Sequence, residues 1–286
     1  MRVAVFGANG KLGRFVTAEL GEHGHDVVAF DRVPGNGAVA IDMRDYGQVL
    51  EAVEALDEHY HTPVDAIVHL AAIPAPGLAT DAATFHNNVP STYNVFKAAS
   101  VAGVKNVVWM SSETTLGLPF SAATPPPYLP VDEDVLRPET TYALGKRVEE
   151  AMAEQFARWN PGMKIIGFRL SNVMRPEDYA QFDSWQDDPS IRIWNCWGYI
   201  DGRDGAYAIR LALESDIVGF ERFIIANSDT VMRAPSTELA DRYFPDVPRT
   251  RPLTGRETLL CIDKARRLLG YEPTHNWTTD SGHTRS

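Results

Sequence analysis

Two side chains in this sequence, Tyr142 and Lys146, have the types and the spacing for acid–base chemistry. Residues at positions i and i+4 lie on one face of an α-helix, so the phenol and the ammonium would be neighbours. A nearby ammonium favours the phenolate and lowers the pKa of a tyrosine from about 10 toward neutral pH. Tyr142 is therefore predicted to be the general base for a substrate hydroxyl, although a tyrosine–lysine pair at this spacing is by itself more often a surface pair.

Ser112 strengthens this interpretation because it follows an apolar run that predicts a buried strand. In a parallel sheet, the end of that strand and the start of the next helix border the same crevice. Ser112 is thus predicted to hydrogen-bond the substrate oxygen and to hold it toward Tyr142. The alternative for Ser111 and Ser112 is local capping by two loop hydroxyls.

A glycine-rich turn near the N-terminus predicts a dinucleotide site. An apolar run leads into Gly7, Gly10 and Gly13, and a helical pattern follows. Such a turn lets the backbone approach a pyrophosphate closely, and the free N–H groups of the helix favour the anion. Asp31 ends the second apolar run, where its carboxylate can accept both ribose hydroxyls and would repel a 2′-phosphate. NAD is therefore the predicted cofactor, and the neighbouring Arg32 keeps NADP possible.

The elements that must position these residues are predicted by alternating apolar runs and helical stretches. Strands separated by helix-length segments imply βαβ units, and continuous apolar runs imply a sheet covered on both faces. The predicted fold class is α/β, a Rossmann-type doubly wound parallel sheet with a small C-terminal substrate lobe. Strands are expected near 2–6, 26–31, 38–41, 64–70, 104–111, 163–170 and 222–226, and helices near 11–23, 45–59, 80–102, 140–159, 204–214, 236–243 and 262–269.

The predicted domains follow from a change of pattern along the chain. A dinucleotide-binding domain is expected over residues 1–172, and a small, partly interleaved substrate lobe over residues 173–276. The polar residues 277–286 are expected to form a flexible tail. Residues 117–139 are rich in proline and lack periodicity, which predicts a loop that covers a functional site.

Composition excludes several classes of function. The net charge of −11 argues against a general affinity for nucleic acid or anionic membranes. No apolar run reaches the roughly 18–20 residues that a membrane helix needs. Cys196 and Cys261 give no disulfide framework and favour a reducing cytoplasm, and the histidines lack metal-ligand spacing, so no metal site is expected.

Several motifs together make the chain resemble the extended short-chain dehydrogenase/reductase family, often labelled NAD-dependent epimerase/dehydratase, over nearly its whole length. The matching segments are Gly7 to Gly13, Asp31, Asp42 to Asp45, His69 to Ala72, Asn88 to Val89, Ser111 to Ser112, Pro130 to Glu133, Tyr142 to Lys146, Arg169 to Asn172, Tyr199 to Asp201 and Ala265 to Pro273. Together with the glycine turn, the resemblance implies these cofactor-binding residues: Gly7, Asn9, Gly10, Lys11, Leu12, Asp31, Arg32, Asp42, Met43, Leu70, Ala71, Ala72, Asn88, Tyr142 and Lys146.

The resemblance also implies a hydride-transfer mechanism that agrees with the residues. Tyr142 would remove the proton of a secondary alcohol while hydride leaves its carbon for the nicotinamide. Ser112 would steady the oxygen, and Lys146 would keep Tyr142 ionisable and contact the nicotinamide ribose. The implied substrate-binding residues are Ser111, Ser112, Glu113, Asn172 and Arg175.

Departures from the family's patterns narrow the expected substrate. Thr114 stands where sugar dehydratases carry a proton-abstracting acid, which disfavours dehydration. Asn195 stands where nucleotide-sugar members carry a diphosphate-binding arginine, which favours a smaller substrate. The loop over residues 177–185 is similar to that of hexuronate dehydrogenases, but Ala180 replaces their carboxylate-binding arginine, and Arg175 is a neighbouring substitute.

The leading prediction is an NAD-dependent oxidoreductase that acts as a dehydrogenase or epimerase on a sugar-like or sugar-acid-like secondary alcohol. One alternative is a nucleotide-sugar epimerase. A non-catalytic NAD(P)-binding regulatory protein is less favoured, because both Tyr142 and Lys146 are present. By analogy with the family, the helices near 80–102 and 140–159 are expected to form a homodimer.

Overall fold

The structure, a computed structural model, describes residues 1–54 and 63–280. Internal contacts divide the chain into two compact units. The first unit comprises Met1–Ser111, Thr140–Phe168 and Ala206–Arg222, and the second comprises Ser112–Glu139, Arg169–Gly205 and Phe223–Ser286.

The elements follow the alternation expected from the sequence. The strands are β1 (Arg2–Phe6), β2 (Asp26–Asp31), β3 (Val39–Ala40), β4 (Ala66–His69), β5 (Asn106–Met110), β6 (Lys164–Leu170), β7 (Val173–Met174), β8 (Ile200–Asp201) and β9 (Gly219–Ile225). The helices are α1 (Gly13–Glu22), α2 (Tyr46–Glu54), α3 (Asp81–Ala102), α4 (Thr141–Trp159), α5 (Gly202–Glu214), α6 (Ser236–Tyr243), α7 (Asp263–Leu269) and α8 (Trp277–Asp280). The predicted end of the helix over 45–59 lies outside the described residues.

The sheet confirms the predicted Rossmann-type α/β fold. Within the described residues it has the strand order β3-β2-β1-β4-β5-β6-β9. The pairs β1/β2, β1/β4, β2/β3, β4/β5 and β5/β6 are all parallel. The order reverses at β1, between β2 and β4, and ligands of such sheets bind at this point, beyond the carboxyl ends of the strands.

Burial explains why the central strands are continuously apolar. Residues Val3–Phe6 of β1 and Ala66–Val68 of β4 are fully buried, as expected for strands covered by helices on both faces. Helices α3 and α4 pack against each other. Their start sites are set by threonine caps: Thr80 accepts from the backbone N–H of Ala83, and Thr140 from that of Ala143.

The described part of the second unit is irregular, with a small parallel pair of β7 and β8 and three 3₁₀ helices, which span Glu113–Leu116, Pro176–Trp185 and Pro189–Asn195. The proline-rich segment predicted as a loop contains no helix or named strand after Gly117. Backbone hydrogen bonds join it to the later chain, from the N–H of Leu129 to Pro248 O (2.9 Å) and from the N–H of Val131 to Leu259 O (2.8 Å). The fully buried Leu129 and Val131 make this loop part of the core of the second unit.

Two predicted boundaries differ from the structure. Residues 112–139 belong to the second unit rather than to the predicted domain over 1–172, because their backbone bonds and buried side chains pair with residues 248–261. The predicted tail starts too early, because Trp277 is buried and its indole N–H donates to Thr230 O at 3.0 Å. Residues 281–286 lie outside the described residues.

Candidate active site and cofactor cleft

The glycine turn after β1 has backbone contacts that leave no room for side chains. Gly7 has φ of +89°, and a Cβ atom there would lie 2.7 Å from the backbone N of Ala71. A Cβ on Gly13 would lie 2.2 Å from Gly7 O and 2.6 Å from Ala8 O. The turn therefore holds the start of α1 against the end of β1. This is the cradle that a pyrophosphate requires, and the residues present fit a dinucleotide.

The start of α1 is suited to an anion. Its N-cap residue, Leu12, has an apolar side chain that cannot accept a hydrogen bond from the first-turn N–H groups, and the first turn carries no acidic residue. These N–H groups and the positive end of the helix dipole favour a bound phosphate.

Asp31 lies at the end of β2 beside the glycine turn, as predicted. Its carboxylate accepts hydrogen bonds from the backbone N–H of Asn9 (2.9 Å) and of Val33 (3.1 Å). The Asn9 side chain donates to Val33 O (2.7 Å) and Gly35 O (3.2 Å), which ties the chain after β2 to the turn. A carboxylate has about four acceptor positions, so Asp31 retains capacity for ribose hydroxyls.

A cleft of about 730 Å³ lies in the first unit at the carboxyl edge of the sheet. Ten of the predicted cofactor-binding residues line it: Gly7, Asn9, Gly10, Asp31, Arg32, Asp42, Met43, Leu70, Ala71 and Ala72. Sequence reasoning missed other lining residues, among them Arg14, Arg44, Ile73, Pro74, Asn87 and Ser91. The predicted contacts outside this lining are Lys11, Leu12, Asn88, Tyr142 and Lys146, and their direct contact with the cofactor stays a prediction.

Asn88 holds the wall of the cleft. Its side-chain oxygen accepts from the backbone N–H of Ile73 (2.8 Å), and its side-chain N–H donates to Ile73 O (3.0 Å). The buried amide thus fixes the segment that follows β4, where Ala71 and Ala72 line the cleft. The observed role of Asn88 is to position this segment.

Asp42 and Arg44 form a bidentate ion pair at the cleft. The Nε and Nη2 atoms of Arg44 lie 3.0 Å and 2.7 Å from the carboxylate oxygens of Asp42. Hydrogen bonds from the Arg44 side chain and backbone hold the pKa of Asp42 at about 2. Asp42 is therefore a carboxylate at neutral pH, and Arg44 is engaged within the protein.

Tyr142 and Lys146 lie on the buried face of α4, as the spacing predicts. Both side chains are buried, and the Lys146 ammonium lies 5.9 Å from the centroid of the Tyr142 ring. Lys146 donates to Met110 O at the end of β5 (2.8 Å) and forms an ion pair with Glu149 (3.0 Å). This arrangement places a cation beside a phenol, which favours ionisation of the phenol.

The two adjacent serines have different partners. Ser111 ends its segment of the first unit, and its hydroxyl donates to the buried carboxylate of Glu150 at 2.7 Å. Ser112 begins the second unit, and its oxygen accepts from the backbone N–H (3.2 Å) and hydroxyl (3.0 Å) of Thr114. Ser112 thus caps a 3₁₀ helix, and its action together with Tyr142 stays a prediction.

Glu113 is a buried acid in the second unit. Its carboxyl oxygens lie 2.6 Å from the hydroxyl of Ser171 and 3.3 Å from the side-chain nitrogen of Asn195. Burial raises the pKa of Glu113 to about 7, and these two hydrogen bonds and the charge of Arg192 oppose the rise only in part. Glu113 therefore exchanges a proton near neutral pH.

Arg175 and Asn172, both predicted to bind substrate, lie in the second unit, where acidic side chains occupy Arg175. The exposed Arg175 guanidinium pairs with Asp178 (3.1 Å) and Glu177 (3.2 Å), so a substrate carboxylate would compete with two acids. The backbone oxygen of Asn172 accepts from the N–H of Ile200 (3.0 Å) in the β7/β8 pair.

Arg192, which lies near the position of the usual diphosphate-binding arginine, is a buried cation. Its guanidinium lies 4.6 Å from the Trp185 ring and 5.1 Å from the Trp194 ring, and it donates to Gly198 O at 2.9 Å. In the sequence, the signal for this cluster is an arginine that lies between tryptophans, since a guanidinium can stack on an indole ring. Trp197, in contrast, is fully buried and packs against Tyr243.

The described residues offer neither a metal-binding cluster nor a membrane-spanning helix. Within residues 1–54 and 63–280, no group of three or more His, Cys, Asp or Glu side chains is arranged to hold a metal ion. Over the same residues, every helix falls short of the length and apolar character that a membrane span requires.

Comparison with known proteins assigns the family. A family model described as the NAD-dependent epimerase/dehydratase family matches residues 3–186. The chain belongs to this family. It is accordingly an enzyme of the short-chain dehydrogenase/reductase type that uses a nicotinamide cofactor, as the glycine turn predicts.

Individual members of the family are similar over nearly the full chain. An L-arabinose 1-dehydrogenase (NAD(P)(+)) of Haloferax volcanii is 27% identical over 256 residues, covering 85% of this chain and 96% of its own. A UDP-glucose 4-epimerase of Corynebacterium glutamicum is 32% identical over 318 residues, covering 96% of this chain and 92% of its own. A short-chain dehydrogenase/reductase superfamily protein of Agrobacterium tumefaciens, solved with bound NAD, superposes with a TM-score of 0.73 at 21% identity, covering 98% of this chain and 95% of its own.

Proposed function

We propose that this enzyme oxidises a secondary alcohol of a small sugar or sugar acid, with NAD as the hydride acceptor, in carbohydrate metabolism. The observation that carries the proposal is the buried Lys146 ammonium, 5.9 Å from the ring of Tyr142. Its hydrogen bond to Met110 O anchors it at the carboxyl end of β5. The pair lies in the same unit as the cleft whose glycine turn fits a dinucleotide, outside the residues that line that cleft.

The chain's own residues prepare the proton transfer. Tyr142, as phenolate, would accept the proton of the substrate hydroxyl, and Lys146 would stabilise the phenolate charge. Ser112 would donate a hydrogen bond to the substrate oxygen. NAD, when bound, supplies the hydride-accepting ring, and the family resemblance assigns Lys146 to its ribose. Asp31 and the glycine turn would hold the opposite end of the cofactor.

A small substrate is supported by three arginines of the second unit that are already paired with carboxylates. Arg249 pairs with Asp241, Arg251 with Glu257 (2.6 Å) and Arg256 with Asp229 (2.9 Å). Asn195, at the position of the usual diphosphate-binding arginine, donates to Gly198 O (2.9 Å). A diphosphate would have to displace these internal partners. The similarity to an L-arabinose dehydrogenase over most of both chains agrees with a free sugar.

The test is reduction of NAD by a panel of aldoses, aldonic acids and uronic acids, followed by near-ultraviolet absorbance. We expect net NADH formation with at least one sugar or sugar acid. A panel that gives no NADH, together with interconversion of a UDP-sugar, would instead support the second candidate, a nucleotide-sugar epimerase. That candidate is favoured by the 32% identity to a UDP-glucose 4-epimerase. Binding of a UDP-sugar would raise the unfolding temperature of the protein.

We also propose that the protein is a cytoplasmic homodimer that pairs through α3 and α4. Both cysteines are free, as suits a reducing compartment. Large apolar side chains are 44% to 58% exposed on these helices: Tyr93, Val101, Leu144 and Trp159. Light scattering after size exclusion would give twice the monomer mass, and Trp159→Glu should reduce it to the monomer.

A further inference from the structure

Helix α4 buries two carboxylates next to the lysine of the site. Glu149 and Glu150 are both fully buried, and Lys146 is 3% exposed. The Lys146 Nζ atom lies 3.0 Å from Glu149 Oε2. Glu150 accepts a hydrogen bond from the hydroxyl of Ser111 at 2.7 Å, and its charge also acts on Lys146.

The hydrogen bonds of Lys146 fix where its ammonium lies. An ammonium has three donors, of which one goes to Met110 O (2.8 Å) and one to Glu149 Oε2 (3.0 Å). These two acceptors hold the cation 5.9 Å from the Tyr142 ring centroid. Without the Glu149 carboxylate, one carbonyl oxygen would remain as its neutral anchor.

A lysine buried to this degree loses its proton unless an anion compensates for lost hydration. The titratable groups that face Lys146 are Glu149, Glu150 and Tyr142 on α4, and His69 on β4. Burial holds the pKa of His69 at about 3, so its imidazole is neutral. Burial by itself lowers the pKa of Lys146, but the charges of Glu149, Tyr142 and Glu150 and the hydrogen bond to Glu149 together outweigh it, so the net pKa is raised.

We propose that Glu149 is the counter-ion that keeps the Lys146 ammonium charged and in place beside Tyr142. It is a positioning residue, because it acts on the phenol through the lysine. The inference rests on the proposed function in giving Tyr142 the role of base, but its test needs no substrate.

The test is a titration of tyrosinate absorbance in the full-length protein. Subtracting the curve of Tyr142→Phe isolates Tyr142 from the other tyrosines. In Glu149→Gln we expect the pKa of Tyr142 to rise by about one to two units, because Tyr142 loses the stabilising charge of Lys146. This is the interaction of two unit charges separated by the 5.9 Å between Lys146 and the Tyr142 ring, at an effective permittivity near 20. An unchanged or lowered pKa would overturn the proposal.

Two controls separate this role from a general effect of removing a charge. Glu154→Gln removes a carboxylate from an exposed position of the same helix and should leave the pKa of Tyr142 unchanged. In a Lys146→Met background, Glu149→Gln should not raise the pKa of Tyr142, because the lysine that transmits the upward shift is gone. A shift of equal size in that background would refute transmission through Lys146.

If Glu149→Gln alone does not fold, thermal unfolding of the Lys146→Met variants tests the pairing instead. Removing one partner of a buried pair leaves an uncompensated charge, and removing both does not. Lys146→Met/Glu149→Gln should therefore unfold at a higher temperature than Lys146→Met alone, and the reverse order would contradict the pairing. A shifted titration in a protein that turns over no sugar would overturn only the proposed function, whereas turnover without the shift would overturn only this inference.

Discussion

Replacing Gly13 by alanine tests whether the turn after β1 is closed as tightly as the distances indicate. The new Cβ would lie 2.2 Å from Gly7 O and 2.6 Å from Ala8 O, both of them backbone atoms. Since backbone cannot rotate away as a side chain can, the turn must open. Overpacking of this kind costs about 1–3 kcal/mol, and the better helix propensity of alanine returns about 0.5–1 kcal/mol.

The expected net loss in the free energy of unfolding is therefore about 0.5–2 kcal/mol, measured by urea denaturation. The apparent affinity for NAD, measured by calorimetry, should fall at least tenfold, because the displaced turn carries the N–H groups that face the pyrophosphate.

Gly21 provides a matched control in the same helix. A Cβ there would meet no atom within 4 Å, so Gly21→Ala should stabilise the protein by about 0.5–1 kcal/mol and leave NAD affinity unchanged. If Gly13→Ala behaves like Gly21→Ala in both measurements, the close approach at this turn is refuted.

The remaining predictions concern one residue each. Tyr142→Phe should lower kcat by about 10²–10⁴-fold with little change in NAD affinity, as checked by steady-state kinetics and calorimetry; a loss below tenfold would remove Tyr142 as the base. Asp31→Asn should raise kcat/KM for NADP relative to NAD, because the charge that repels a 2′-phosphate is gone; an unchanged ratio would refute that repulsion. Glu113 has a pKa raised by burial from 4.5 to about 7, so the native state holds its proton more tightly and this group's contribution to stability falls as pH rises from about 4.5 to 7. The free energy of unfolding of Glu113→Gln, measured by urea denaturation, should therefore rise relative to that of wild type by up to about 3 kcal/mol between pH 5 and 8. Parallel curves of this free energy against pH would contradict the raised pKa.

The main elements of the sheet domain were predictable because their signals are long. The helix expected near 80–102 spans Asp81–Ala102, and the helix near 140–159 spans Thr141–Trp159. In both helices, a threonine cap and a long helical pattern indicate the same start. The glycine turn and Asp31 were also recognisable, because they combine residue type with a position at a strand end.

Short elements and paired side chains were not predictable in this way. The two-residue strands β7 and β8 depend on pairing between segments distant in sequence, and the 3₁₀ helix over Pro176–Trp185 lacks a clear period. The hydrogen bonds between Asn88 and Ile73 also depend on the tertiary fold, and contact of Asn88 with the cofactor stays a prediction. The full burial of Glu149 contradicts its charge, which by itself predicts an exposed position.

The bonds among Asn9, Asp31 and Val33 have a consequence for the thermodynamics of ligand binding. They are formed by the protein alone, so the recess that we propose for the adenosine end is held in shape by the chain itself. Association then loses little chain entropy at this end. Discrimination between the two nicotinamide nucleotides can accordingly change through a single side chain at the rim, without rebuilding the loop beneath it.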